Sequence, residues 1–162
     1  MCCQDARTFH AYSTRPSEAT AGGTTLRIGT AKYERELRNE AGDLLHSLQL
    51  DQLAFRPAAG LPFGTLKRLE IARALAARPT FLLMDEPASG LTHGEVDELS
   101  ETIKRVRDEF HLAVLLVEHH MAMVMGISDN IVVLDFGRKI AEGPPQVIAR
   151  DPKVIEAYLG EQ

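Results

Sequence analysis

The stretch Phe81–Leu91, FLLMDEPASGL, runs four apolar residues into two adjacent carboxylates, Asp85 and Glu86, and then breaks at Pro87. FLLMD is too short and too uniformly apolar for a half-exposed strand, so it reads as a buried parallel one. Upstream, TLKRLEIARALAARP (Thr65–Pro79) places Leu66, Leu69, Ala72 and Leu75 on one helical face, with Lys67, Arg68 and Arg73 elsewhere, and Pro79 closes the helix. Downstream, Thr92 and Glu95 have the spacing of a capping box, opening a helix through Val96, Leu99, Ile103, Val106 and Phe110. LAVLLVE, Leu112–Glu118, follows as a second buried strand. Helices alternating with buried strands predict an α/β domain.

Farther out, Tyr33, Leu37, Ala41, Leu44, Leu45 and Leu48 fall three or four apart, which predicts a helix from Ala31. Residues 11–30 are rich in Ser, Thr, Gly and Ala and read as a poorly ordered loop. Toward the other end, a short helix near MAMVMGI precedes a hairpin over Ile131–Ala141. Two terminal helices follow, the second with Asp151 as N-cap and Pro152 as first helical residue, stopping at Gly160. The expected organisation is a poorly ordered segment at 1–30, a helical piece at 31–64, an α/β core at 65–143 and terminal helices at 144–162.

With 162 residues and 44% hydrophobic content, the chain can bury a sizeable core. Its net charge of −5 supplies no broad cationic surface, so no nucleic-acid partner is expected. Cys2 and Cys3 are adjacent and cannot staple distant segments, which fits a reducing compartment. The longest apolar runs, such as Ala113–Val117, fall far short of the roughly 20 residues of a membrane-spanning helix. No secretion leader opens the sequence, and a cytoplasmic location is expected.

Ligands of open α/β sheets gather at the carboxyl ends of strands, where Asp85 and Glu86 lie. Consecutive residues project different ways, so one carboxylate can approach a magnesium ion while the other addresses a water molecule. Nucleotide hydrolysis needs that division, because phosphoryl transfer demands charge neutralisation and an oriented nucleophile. An apolar run ending in two acids carries no such function by itself; its surroundings decide.

LPFGTLKRLEIARALAARPTFLLMDEPASGL, Leu61–Leu91, resembles the ATP-binding subunits of ABC transporters in the order and spacing of signature loop, helix, Walker B strand and D-loop. The resemblance implies an ABC ATPase-type fold, incomplete here, with a remnant of the helical subdomain. It implies that Asp85 helps to hold magnesium, directly or through water, and that Glu86 is the general base on the attacking water. Leu61, Pro62, Phe63, Gly64 and Thr65 would be the signature loop, set at a helix amino end where free N–H groups favour an anion. In the family this loop caps the γ-phosphate of ATP held by a second ATP-binding subunit. Pro62 stands where many relatives carry serine. Leu91 and Thr92 belong to the D-loop, with Thr92 replacing the usual Asp or Asn.

The family also places a histidine after the next strand, against the γ-phosphate, and LLVEHHM offers His119 and His120, of which the count favours His119. A metal site is the competing reading of this pair, but no further His or Cys lies at ligand spacing. LDFG, Leu134–Gly137, matches a kinase magnesium motif in letters only, since no HRD-type loop accompanies it; a hairpin turn is expected there.

The phosphate-gripping pattern G-x-x-x-x-G-K-[ST] does not occur in these residues; GGTTLRIGTAK has the wrong spacing. ARTFH resembles the approach to the family's Q-loop, with His10 where glutamine is expected. The 162 residues should therefore bind ATP poorly alone, and strands that flank the missing one should expose an edge. The tail from Gly126 and the LPFG variant resemble the ATPases of branched-chain amino acid importers, with urea-type importers close by. That implies transmembrane permease partners and a peripheral position on the cytoplasmic face of the membrane. The alternatives are a catalytically inactive half-site partner and a non-functional fragment.

Overall fold

The computed structural model describes residues 9–12 and 27–159, with side chains described over 33–158. Cys2, Cys3, Arg7, Thr8, most of the expected loop and the stop at Gly160 lie outside the described residues. The chain divides into two units that meet in sequence at Val117 and Glu118. The block 65–143, expected as one core, is therefore split.

In the first unit a three-stranded sheet has the order β1 (Phe9–Tyr12), β2 (Phe81–Asp85), β3 (Ala113–Val117). β2 runs parallel to β3, with Asp85 opposite Val117, as the FLLMD reading requires. Leu82 and Met84 are 1% and 0% exposed and form the sheet's share of the core. β1 was not expected: it pairs antiparallel to β2, His10 opposite Leu83, so Ala11 and Tyr12 leave the segment read as loop. An extended backbone satisfies the edge groups of β2 whatever its side chains, which composition alone does not reveal.

α1 (Arg27–Ser47) begins before Ala31, since Gly29 and Thr30 weaken a helix without ending it. Among its described side chains burial is confined to the last turn: Leu44 and Leu45 are half-buried, while Tyr33 and Leu37 are 61% and 46% exposed; Leu48, just past the helix, is buried. α2 (Phe63–Leu75) and α3 (His93–Glu109) lie after it in sequence. On α2 the buried set is Thr65, Lys67, Ile71, Ala72, Ala74 and Leu75, which corrects the expected face: Leu66 and Leu69 are half-buried and Lys67 is not outward. Lys67 is buried because its ammonium lies 5.2 Å from the Phe63 ring centroid and 3.7 Å from Glu70, while its stem packs. α3 buries Val96, Leu99, Ile103 and Val106, as its spacing predicts.

β3 departs from expectation. Leu115 and Val117 are 50% and 49% exposed, so its apolar run is not a buried strand here. A uniformly apolar strand in a parallel sheet is built to be covered on both faces, and among the described residues no strand pairs with its second edge.

In the second unit α4 (Met121–Ile127) precedes the hairpin of β4 (Ile131–Asp135) and β5 (Arg138–Gly143). Phe136 and Gly137 both have positive φ, 43° and 76°, which makes the LDFG stretch a tight two-residue turn. Ile131, Val133, Ile148 and Val154 form this unit's core, the last two supplied by α5 (Pro145–Ile148) and α6 (Pro152–Val154). Asp151 caps α6 by accepting from the Lys153 N–H at 2.8 Å, with Pro152 at the first position.

Candidate functional site

β2 delivers Asp85 and Glu86 to the surface, both exposed, while Pro87 and Ala88 behind them are buried. Glu86 occupies left-handed backbone at φ 45°, a conformation costing a non-glycine residue roughly 1–3 kcal/mol. Two hydrogen bonds hold it: its N–H donates to Val117 O at 2.8 Å, and its carbonyl accepts from Ser89 N–H at 3.1 Å. The strand therefore stops at Asp85, and the two carboxylates leave on differently oriented backbone. Leu91, half-buried, closes the following turn by donating its N–H to Ala88 O at 3.1 Å.

Thr92 is the N-cap of α3, and the expected capping box is complete. Its N–H and hydroxyl donate to Glu95 Oε2 at 2.9 and 2.8 Å, and Glu95 N–H returns a bond to Thr92 Oγ1 at 3.4 Å. The Glu95 carboxyl is held below its ordinary value first by the Thr92 backbone bond and then by the Thr92 hydroxyl; a bond from the Gly64 backbone adds to this, against partial desolvation.

The LPFG turn opens α2 two residues earlier than expected, with Pro62 as N-cap and Phe63, Gly64 and Thr65 in the first turn. Proline offers no side-chain acceptor there, and Thr65 is 8% exposed, so this turn presents backbone rather than hydroxyls. Phe63 lies over Gly90: a Cβ on Gly90 would stand 3.1 Å from Phe63 Cε1, and φ there is +80°. Gly90→Ala is accordingly expected to destabilise the chain by roughly 1–3 kcal/mol in urea unfolding, from backbone strain plus the ring clash. The structure thus sets Phe63 and Gly64 of the LPFG turn against Gly90 and Glu95, in the first unit, which also holds Leu61, Pro62, Thr65, Asp85, Glu86, Leu91 and Thr92.

His119 belongs to the second unit. It is exposed, and its N–H donates to Glu118 Oε2 at 2.9 Å while its Nδ1 lies 3.8 Å from the same oxygen. Glu118 also accepts the His120 N–H at 3.1 Å. His120, assigned no role by its sequence position, caps α4: its Nδ1 accepts from Met123 N–H at 3.4 Å. Sequence reasoning missed Glu118, although an acid immediately before two histidines was the available signal. His10 is placed only as backbone, on β1.

Among the described residues, no three acidic, histidine or cysteine groups converge as a ready metal cage. Magnesium is commonly bound through one or two carboxylates plus phosphate oxygens, and Asp85, exposed at the end of β2, is a single carboxylate of that kind. Among the described residues, no helix is long and apolar enough to cross a membrane.

The family model described as ABC transporter matches residues 1–89, and that described as Branched-chain amino acid ATP-binding cassette transporter matches residues 138–162. The high-affinity branched-chain amino acid transport ATP-binding protein BraF of Pseudomonas aeruginosa is 46% identical over 130 residues, 80% of this chain and 51% of BraF. The corresponding LivG of Escherichia coli is 43% identical over the same length and coverage. The lipopolysaccharide export ATP-binding protein LptB of Acidithiobacillus ferridurans is 37% identical over 129 residues, 80% of this chain and 52% of LptB. Among solved structures, the ADP conformation of MJ1267, an ATP-binding cassette of an ABC transporter, superposes with a TM-score of 0.70 at 29% identity, covering 85% of this chain and 57% of that one. CbiO1 of Clostridium perfringens gives 0.69 at 28% identity, covering 80% and 53%. The chain spans about half the length of the curated relatives it matches.

Proposed function

The chain belongs to the ABC transporter family of ATP-binding proteins, and from that premise we propose that it is the signature, Walker B and carboxyl-terminal part of an ATPase that powers an importer, with branched-chain amino acids as cargo. The observation that carries the reading is the joining of the LPFG turn to the turn after Asp85 and Glu86, through Phe63 over Gly90 and Glu95 beside Gly64.

Within that reading Asp85 holds magnesium, directly or through water, beside the phosphates. Magnesium bound there neutralises the charge of the phosphate oxygens. Glu86 accepts a proton from the attacking water, its carboxylate oriented by the strained turn. His119 hydrogen-bonds the γ-phosphate, its position fixed by the Glu118 bridge to two successive backbone N–H groups. Leu61 to Gly64 present backbone N–H groups to ATP held by a second ATP-binding subunit. The assembly works against permease subunits on the cytoplasmic face of the membrane. The cargo reading is supported by the match at residues 138–162 and by the named relatives.

These 162 residues contain no G-x-x-x-x-G-K-[ST]. Purified alone, the chain is expected to hydrolyse no ATP above background, and adding a polypeptide that carries the phosphate-binding loop and its strand should restore turnover. Hydrolysis by the chain alone, or none after complementation, would overturn the reading. A second reading, a half-site donor, is favoured by the coexistence of an intact LPFG turn with no phosphate loop. It predicts that the chain rescues a full-length cassette whose own signature loop is disabled.

A further inference from the structure

The first turn of α2 has an unusual problem. Its N-cap is Pro62, which carries no acceptor for the unpaired N–H groups that every helix leaves at its amino end. An acceptor lies within reach on another helix: the Glu95 carboxylate packs against Gly64, whose backbone helps to hold that carboxyl below its ordinary value. The approach is close enough that a Cβ on Gly64 would stand 3.2 Å from Glu95 Oε1, so a side chain there would push the carboxylate back by a few tenths of an ångström. The other oxygen, Oε2, is already engaged by the Thr92 N–H and hydroxyl. A second contact runs in parallel, because Phe63 of the same turn rests on Gly90 of the other.

We infer that Glu95 is a positioning residue: one carboxylate oxygen holds the LPFG turn and the other holds the turn that follows Asp85 and Glu86, so the two nucleotide-facing loops move as one body. The inference rests on the proposed ATPase reading for its functional meaning, but the clasp itself is a property of this chain. A neutral or shortened side chain would leave the Gly64 N–H without its charged acceptor and free the LPFG turn to shift against the acidic pair. Because hydrogen bonds to the carboxylate hold its pKa below 4.5, the clasp is fully formed above that value and is lost as pH falls through the lower folded value.

The test uses the 162-residue chain labelled with ¹⁵N-glycine, the Gly64 amide being the resonance lost in Gly64→Ala. The expected result is a Gly64 amide that shifts with a midpoint below 4.5 in the wild-type chain and no longer titrates in Glu95→Gln. Thr92→Val should keep the Gly64 titration, whereas a carboxylate serving only as a helix cap would lose it there too. The same chains are then mixed with a full-length cassette whose signature loop is disabled. Wild type is expected to raise ATPase activity, Glu95→Ala to raise it at least about tenfold less, and Glu95→Gln, which keeps an acceptor, to fall between. A Gly64 amide indifferent to pH in the wild-type chain overturns the clasp, even where the variants fail to fold. A titrating amide with equal stimulation by wild type and Glu95→Ala overturns the positioning role. A mixture unresponsive to the wild-type chain overturns the half-site reading and the positioning role tested through it, while the amide titration reads the clasp separately.

Discussion

In a cassette completed by a phosphate-loop polypeptide, Glu86→Gln is expected to lower ATP turnover about 10²- to 10⁴-fold, the range that a positioned general base contributes. Glutamine keeps the size and one acceptor but cannot take the proton from water, so ATP binding should change by no more than about threefold. The structural ground is the turn at Glu86. Left-handed backbone at a glutamate is a cost, and the bond to Val117 O makes the neighbouring strand hold it. Asp85→Asn should behave differently, weakening the magnesium dependence of turnover, because its carboxylate ends the regular strand opposite Val117. Steady-state ATPase assays over a magnesium series separate the two. Equal turnover by wild type and Glu86→Gln would remove Glu86 from the reaction.

What the sequence disclosed was local. The capping box of Thr92 and Glu95, the Asp151–Pro152 start and the Phe136–Gly137 turn are each set by a few neighbouring residues, and each is found in place. FLLMD as a parallel strand was equally legible, since an uninterrupted apolar run suits a sheet covered on both faces. Failures came where a distant segment decides. One miss was local instead: Phe63 and Glu70, within four residues of Lys67 on the same helix, let it sink to 6% exposure, which the spacing of apolar residues does not tell. The reach of Glu95 to Gly64 is invisible because a capping box accounts for the glutamate and the second neighbour lies on another helix. The pairing of Phe9–Tyr12 with β2 depends on backbone groups that composition does not encode.

The two strands beside the acidic pair should respond oppositely to substitution, and that contrast tests how the sheet is built. Met84 is fully buried on β2, so Met84→Ala is expected to cost about 2–5 kcal/mol in urea unfolding, from lost transfer energy and the cavity left behind. Leu115 has equally apolar chemistry on the adjacent β3 but is half exposed, and Leu115→Ser should change stability by no more than about 0.5 kcal/mol. The same substitution should reduce self-association on gel filtration, because it breaks an apolar edge strand open to pairing with another chain. Once a phosphate-loop polypeptide supplies the neighbouring strand, Leu115 becomes buried, and Leu115→Ser is then expected to cost the completed cassette roughly 1.5–3 kcal/mol. A penalty that appears only on complementation would locate the joining surface at β3. An equal and large penalty in the isolated chain would mean that β3 is already covered, and the case for a strand supplied from outside these residues would fall with it.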